Sequence, residues 1–249
     1  MGERLTTSTM TAFTPHRHAF RFPNRFINAV WDGRCPPLLG PRVQVTTRGR
    51  CGGMAFASLD LFHAGAPAPT LTASDFAGSH VPPDGHPLAD YIRVRQLHSM
   101  LTGWHGARNG LTFLRWSMRS TQSLRIRTQH QMTKILASLD AGVPVVLGLV
   151  RAEDARFSSL GRNHQAVCYG YRVDASGLPE LLIYDPNLPF GHLSPDDDSD
   201  DGGVVLRRSP EAEQSSFPYE STRGTRTDRW RGFFVEHYHP HMPRIGENL

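Results

Sequence analysis

Arg48–Phe62 reads RGRCGGMAFASLDLF. Met54, Phe56, Ala57, Leu59, Leu61 and Phe62 crowd a run without proline, which predicts a largely buried helix starting at or just after Cys51. The placement matters because a thiol attacks only as thiolate, and a free one is mostly protonated at neutral pH. The positive end of a helix favours the ionised form. Gly52 and Gly53 would let a substrate backbone pass close to the sulfur, and the Cys51 backbone N–H could donate to a developing oxyanion.

A base must come from elsewhere in the chain. Two further segments have helical spacing: LADYIRVRQLHSMLTGW, with Tyr91, Ile92, Val94, Leu97 and Leu101, and TQHQMTKILASLDAG, with Met132, Ile135, Leu136 and Leu139, ending at Gly142. After them the pattern changes to short β-branched or aromatic runs bounded by turn residues: Val143–Val150, His164–Val173, Pro179–Asp185, Gly203–Arg207 and Arg231–Tyr238. Helices followed by an antiparallel sheet define an α+β domain. His164 opens the second of these strands, and DASG, Asp174–Gly177, joins it to the third as a hairpin. A turn centred on DASG sets Asn187 opposite His164, whereas a centre one residue earlier sets Asp185 there. Either side chain can accept the imidazole N–H and fix its tautomer. Taken singly, Cys51 reads as a small buried hydrophobe, His164 as a strand cap and DPN as an ordinary turn. Their order and the hairpin that links two of them favour a site.

These residues resemble the papain-like cysteine peptidase superfamily: a cysteine at the start of a buried helix, then NHQAVCYGY on a strand, then an Asp or Asn on the next strand. The sequence looks closest to bacterial members such as the peptidase domains that process bacteriocin leaders. It is also similar to a group of uncharacterised bacterial proteins, through CGGMAFASLD, YDPNLP and RGFFV. The likeness runs from about Phe20 to Tyr238. It implies a papain-like fold, with the nucleophile helix packed on a C-terminal antiparallel half-barrel. It also implies Cys51 as nucleophile, His164 as acid and base, and Asp185 as orienting residue with Asn187 as substitute. One position departs from the pattern. The oxyanion-hole Gln expected six residues before the cysteine is Val45 here, and the nearest candidate is Gln44.

The expected function is therefore a cysteine hydrolase, a peptidase or amidase acting on a peptide or protein substrate. Alternatives are an acyltransferase of transglutaminase type using the same triad, and an inactive papain-like shell that binds a peptide or protein partner. No cofactor or metal is expected: no cysteine pair has zinc spacing, and three cysteines do not make a disulfide framework. DDDSDDG resembles a calcium loop, but its twelfth position is Arg208 instead of Glu. His237, His239 and His241 alternate as strand ligands would, although Pro240 argues for a frayed end. Cys35 and Cys168 read as structural.

The chain of 249 residues carries a net charge of +4, yet 26 of its 27 basic residues are arginine, Lys134 being the exception. Arg108, Arg115, Arg119, Arg125 and Arg127 interleave with Phe113 and Trp116, a pattern able to grip nucleic acid. A solvated surface around buried aromatics is the preferred reading, so no nucleic-acid partner is expected. No apolar run is long enough to span a membrane, and the N-terminus lacks a secretory signal pattern, so the expected location is cytoplasmic, or outside the cell by a signal-independent route. Residues 1–19 read as a flexible tail, 20–240 as one domain and 241–249 as a second tail. Ala64–Pro87 and Ser209–Asp228 read as exposed loops walling the cleft.

Overall fold

In the computed structural model, residues 8–34, 42–188 and 203–243 are described. The chain begins with a short strand, β1 (Ser8–Met10), and a single turn, α1 (Pro15–His18). Strands β2 (Ile27–Arg34) and β3 (Arg42–Arg48) form a separate antiparallel ribbon that leads into helix α2 (Cys51–His63). Helices α3 (Pro87–Met100), α4 (Gly103–Ser117) and α5 (Thr121–Asp140) follow. The remainder is β4 (Val145–Val150), the turn α6 (Phe157–Leu160), β5 (His164–Val173), β6 (Pro179–Tyr184), β7 (Val204–Arg208), β8 (Tyr219–Arg223), β9 (Arg226–Trp230) and β10 (Gly232–Val235). Strands β4 to β10 join in the order β10-β4-β5-β6-β7-β8-β9, every pair antiparallel, with β1 added beside β5. The fold mixes helix and strand, as expected: helices pack around a curled antiparallel half-barrel.

Both faces of the sheet are covered, which explains why its central strands are apolar throughout. On one face Ala166 and Cys168 of β5 and Leu147 and Leu149 of β4 pack against Ile135 and Leu139 of α5. On the other, Val167, Tyr169 and Val146 meet Ala55, Phe56 and Leu59 of α2. The opposite side of α2, with Met54, Ala57 and Leu61, packs on Phe20, Phe22 and Phe26 and on Leu88, Ala89 and Ile92. This helix is thus buried on nearly every side, which its apolar composition requires. Its one acidic residue, Asp60, is buried in an ion pair with Arg95 at 2.6 Å. Asp60 also accepts from the hydroxyls of Tyr91 and Tyr238, both at 2.7 Å, and from the His241 N–H at 2.9 Å.

Several expectations need correction. Residues 8–19 are not a loose tail: β1 pairs with Gly170–Arg172, and Phe13 is completely buried against Tyr169 and Tyr184. A strand of three residues carries no alternation to reveal it. The stretch through His241 is pinned as well, because Asn109 holds His237 and Arg95 donates to the His239 carbonyl. Part of Ser209–Asp228 is the β8–β9 hairpin, in which Tyr219, Glu220 and Ser221 are buried. Only part of the stripe predicted for α3 faces the core: Ile92 is buried and Tyr91 packs beside it, whereas Val94, Leu97 and, just past the helix end, Leu101 are exposed, and Leu88, Arg95 and Ser99 complete the inward face toward α2. Phe113 and Trp116 pack on Val150 and Phe234, so neither ring is open to a base. The DDDSDDG stretch and Cys35 lie outside the described residues. Among the described residues no helix is long and apolar enough to cross a membrane.

Candidate active site

Gly49 has a φ of +84°, a left-handed turn open to glycine, and swings the chain from β3 into α2. The next residue, Arg50, is buried. Its guanidinium donates to Asn28 Oδ1, to the Ala89 carbonyl and to Asp84, and lies over the Phe26 ring. These contacts fix the entry to the helix, so Cys51 stands at its first position, half-buried, with its sulfur at the helix N-terminus.

The glycines after it serve packing. A Cβ on Gly52 would lie 2.1 Å from Gln165 Oε1 and 2.3 Å from Ser99 Oγ, and one on Gly53 would lie 2.1 Å from the Ile92 carbonyl oxygen. Both positions therefore face the protein interior, and the expectation that they make room for substrate is corrected accordingly. The Gly53 N–H is held by Gln96 Oε1 at 2.8 Å.

His164 begins β5 on the face that carries Ala166 and Cys168. Its Nε2 is 2.6 Å from Asp185 Oδ1, both side chains being buried. Cys51 is the other ionisable group whose charge acts on the ring. Asn187 Nδ2 approaches Nδ1 at 3.4 Å, and the Asn187 backbone N–H donates to Asp185 Oδ1 at 2.8 Å. The structure thus brings both candidates for the third position to His164, with Asp185 on Nε2. Strand register runs through Val167↔Tyr184, so the pairing points Asn187 at His164 while the Asp185 carboxylate turns back to the ring.

Burial alone would push the His164 imidazole down. The neighbouring Asp185 carboxylate and Cys51 sulfur outweigh it and hold its pKa well above the usual imidazole value of 6.5. For Asp185, burial acts upward, but the imidazole and its hydrogen bonds keep the carboxyl below its usual range. Trp230 lies nearly parallel to the imidazole and donates its indole N–H to Ser221 Oγ. Cys168 shows the contrast: burial inside β5 pushes its thiol up to about 12, which suits the structural role read for it.

Three contributors escaped the sequence reading. Asn24 accepts the Arg50 N–H at 2.5 Å and donates to Asn187 Oδ1 at 3.0 Å, tying the start of α2 to the loop that carries Asp185. Gln165, on the α2 side of β5, places Oε1 3.9 Å from the Cys51 sulfur. Its Nε2 donates to both oxygens of Glu236, at 2.9 and 2.7 Å. Burial pushes the Glu236 carboxyl well above the usual range, and the Gln165 amide acts against that shift. The signal was there to see: Gln165 shares the parity of Val167 and Tyr169, a polar residue at a core-facing position. Gln44 lies on β3 opposite Asp32, and its side chain is outside the described residues. Among the described residues no group of three or more His, Cys, Asp or Glu is arranged to hold a metal ion. No known family model, curated protein or solved structure matches this chain.

Proposed function

We propose that the protein is a cysteine-dependent hydrolase of papain-like type, cleaving a peptide or amide bond. The observation that carries the reading is one constellation: a half-buried cysteine at a helix N-terminus, beside an imidazole whose Nε2 is held by a buried carboxylate. The helix end and the imidazolium both favour the thiolate. In the reaction the Cys51 sulfur adds to the carbonyl carbon, and the Cys51 N–H donates to the oxyanion. His164 gives its proton to the leaving amine, and water, deprotonated by His164, then releases the acyl group and restores the thiol. Asp185 keeps the ring turned toward the sulfur throughout.

The direct test is the pH dependence of iodoacetamide labelling at Cys51, located by mass spectrometry, in wild type and in His164→Ala. Fast labelling that persists well below pH 7 and disappears in the variant is the expected result. Labelling that rises only near the pH of an ordinary thiol and ignores His164 would end the proposal. With a peptide substrate in hand, Cys51→Ala should abolish turnover and leave the fold intact.

A further inference from the structure

The Gln165 amide is held by its surroundings. Its Nε2 donates to Glu236, within reach of both carboxylate oxygens, and Glu236 takes a second donor, Asn109 Nδ2, at 3.5 Å. With its nitrogen committed there, the carbonyl end must face the other way, toward Ser99 Oγ at 3.5 Å and the Cys51 sulfur at 3.9 Å. Gly52 leaves the space that this oxygen fills. Gln165 and Glu236 are both buried, so water does not stand in for either partner.

An amide oxygen can only accept. It therefore favours the S–H form of the cysteine and opposes the thiolate, because a negative sulfur would face the negative end of the amide dipole. From the geometry we infer that Gln165 competes with His164 for the thiol proton, and that Glu236 is the positioning residue that keeps the amide oxygen on the sulfur. This rests on the reading of Cys51 as the nucleophile and deepens it: the resting thiol has two partners that pull its proton in opposite directions. The ionisable groups around the sulfur are His164 on β5, with Asp185 behind it, and Glu236 after β10. From α3 come the neutral Ser99 and Gln96, and the Arg50 side chain is directed to Asp84.

The experiment is the iodoacetamide profile of Cys51 from about pH 4 to 9 in wild type, Gln165→Met and Glu236→Gln, each also combined with His164→Ala. Gln165→Met keeps the bulk and removes the acceptor. It should lower the labelling midpoint by about 0.4 to 1 pH unit, the worth of one ordinary hydrogen bond. The shift should survive in the His164→Ala background. Glu236→Gln frees the amide to turn its N–H toward the sulfur and should move the midpoint the same way; it carries the test if Gln165→Met fails to fold by circular dichroism. An unchanged or raised midpoint in the folded variants overturns the inference, even where His164→Ala shows the Cys–His pair to be real. A downward shift beside a profile that ignores His164 would show the amide acting on the thiol alone, and would overturn both the competition and the catalytic reading.

Discussion

Trp230 lies flat alongside the His164 ring, with centroids 6.0 Å apart and planes 14° from parallel. The indole closes off the imidazole from the side of β9, and the His164–Asp185 contact is left with little access to water. In such surroundings the pair interacts more strongly than it would in solvent. Trp230→Ala should therefore have two separable effects. Loss of a core aromatic should cost about 3 to 5 kcal/mol in denaturant unfolding. In the folded protein, the His164 titration followed by NMR should move back toward an ordinary imidazole value. A titration that stays in place would show that the indole serves packing alone.

The same pair sets a pH window. His164 has a folded pKa above its unfolded value of 6.5, so its stabilisation is complete below 6.5 and is lost as pH rises through the folded value. Asp185 has a folded pKa below 3.8, so its stabilisation is complete above 3.8 and is lost as pH falls through the folded value. Urea unfolding of wild type and Asp185→Asn should therefore differ most between these two unfolded values. Equal differences at pH 5 and at pH 9 would mean that the imidazole is not charged in the folded state.

Glu236 acts in the opposite direction to Asp185. Its folded pKa lies above the unfolded value of 4.5, so the native state loses stability as pH climbs above 4.5 toward the folded value. Glu236→Gln retains the size of the side chain and removes that titration. The stability curve of the variant should be flatter than wild type above pH 4.5, with the gap narrowing toward pH 4. Parallel curves would place the ionisation of Glu236 in the same range folded and unfolded.

Gly52 and Gly53 offer a comparison between neighbours. An alanine Cβ at 52 meets the end of a side chain, Gln165, whereas one at 53 meets the backbone carbonyl of Ile92 inside α3. The first obstacle can move and the second cannot without displacing a helix. Gly53→Ala should lower stability more than Gly52→Ala, the latter costing about 1 to 3 kcal/mol as ordinary overpacking does. Gly52→Ala should also alter the Cys51 labelling profile, since it must push Gln165 from its place.

Among the described residues, Asp60 is an acid on which several contacts converge. With Arg95, two tyrosine hydroxyls and the His241 N–H around it, Asp60→Ala would leave a buried guanidinium without its carboxylate. A loss of about 3 to 5 kcal/mol is expected. The stretch from His237 to His241 should become sensitive to limited proteolysis at the same time.

Much of this architecture was legible in the sequence because the decisive segments are dense in apolar residues. The β5 strand runs from His164 to Val173 as its composition predicted, and α2 starts at Cys51. Cys51, His164 and Asp185 could be picked out as candidates because a thiol, an imidazole and a carboxylate are chemically distinct types. What remained hidden depends on partners far along the chain. YESTR and RTDRW are polar strands defined by their pairing with each other and, for YESTR, with β7. The inward face of α3 includes Arg95 and Ser99, whose burial is made tolerable by Asp60 and by the Gln165 and Asn109 amides. No periodicity of apolar residues reports such a face. The choice between Asp185 and Asn187 turned on where their side chains swing beyond the end of β6, which strand register does not specify.

The N-terminal strand has a consequence for how the protein is made. Thr11 bonds to the Tyr169 carbonyl, 158 residues further along, and β1 lies against the strand that carries His164. During synthesis that segment leaves the ribosome long before its partner exists, and Phe13 has no pocket until Tyr169 and Tyr184 arrive. Closure across so long a stretch of chain is slow compared with helix formation. The molecule thus completes its core by threading an early piece of the nascent chain back beside a late one, and an interruption of translation before β5 would leave that piece with nothing to hold it.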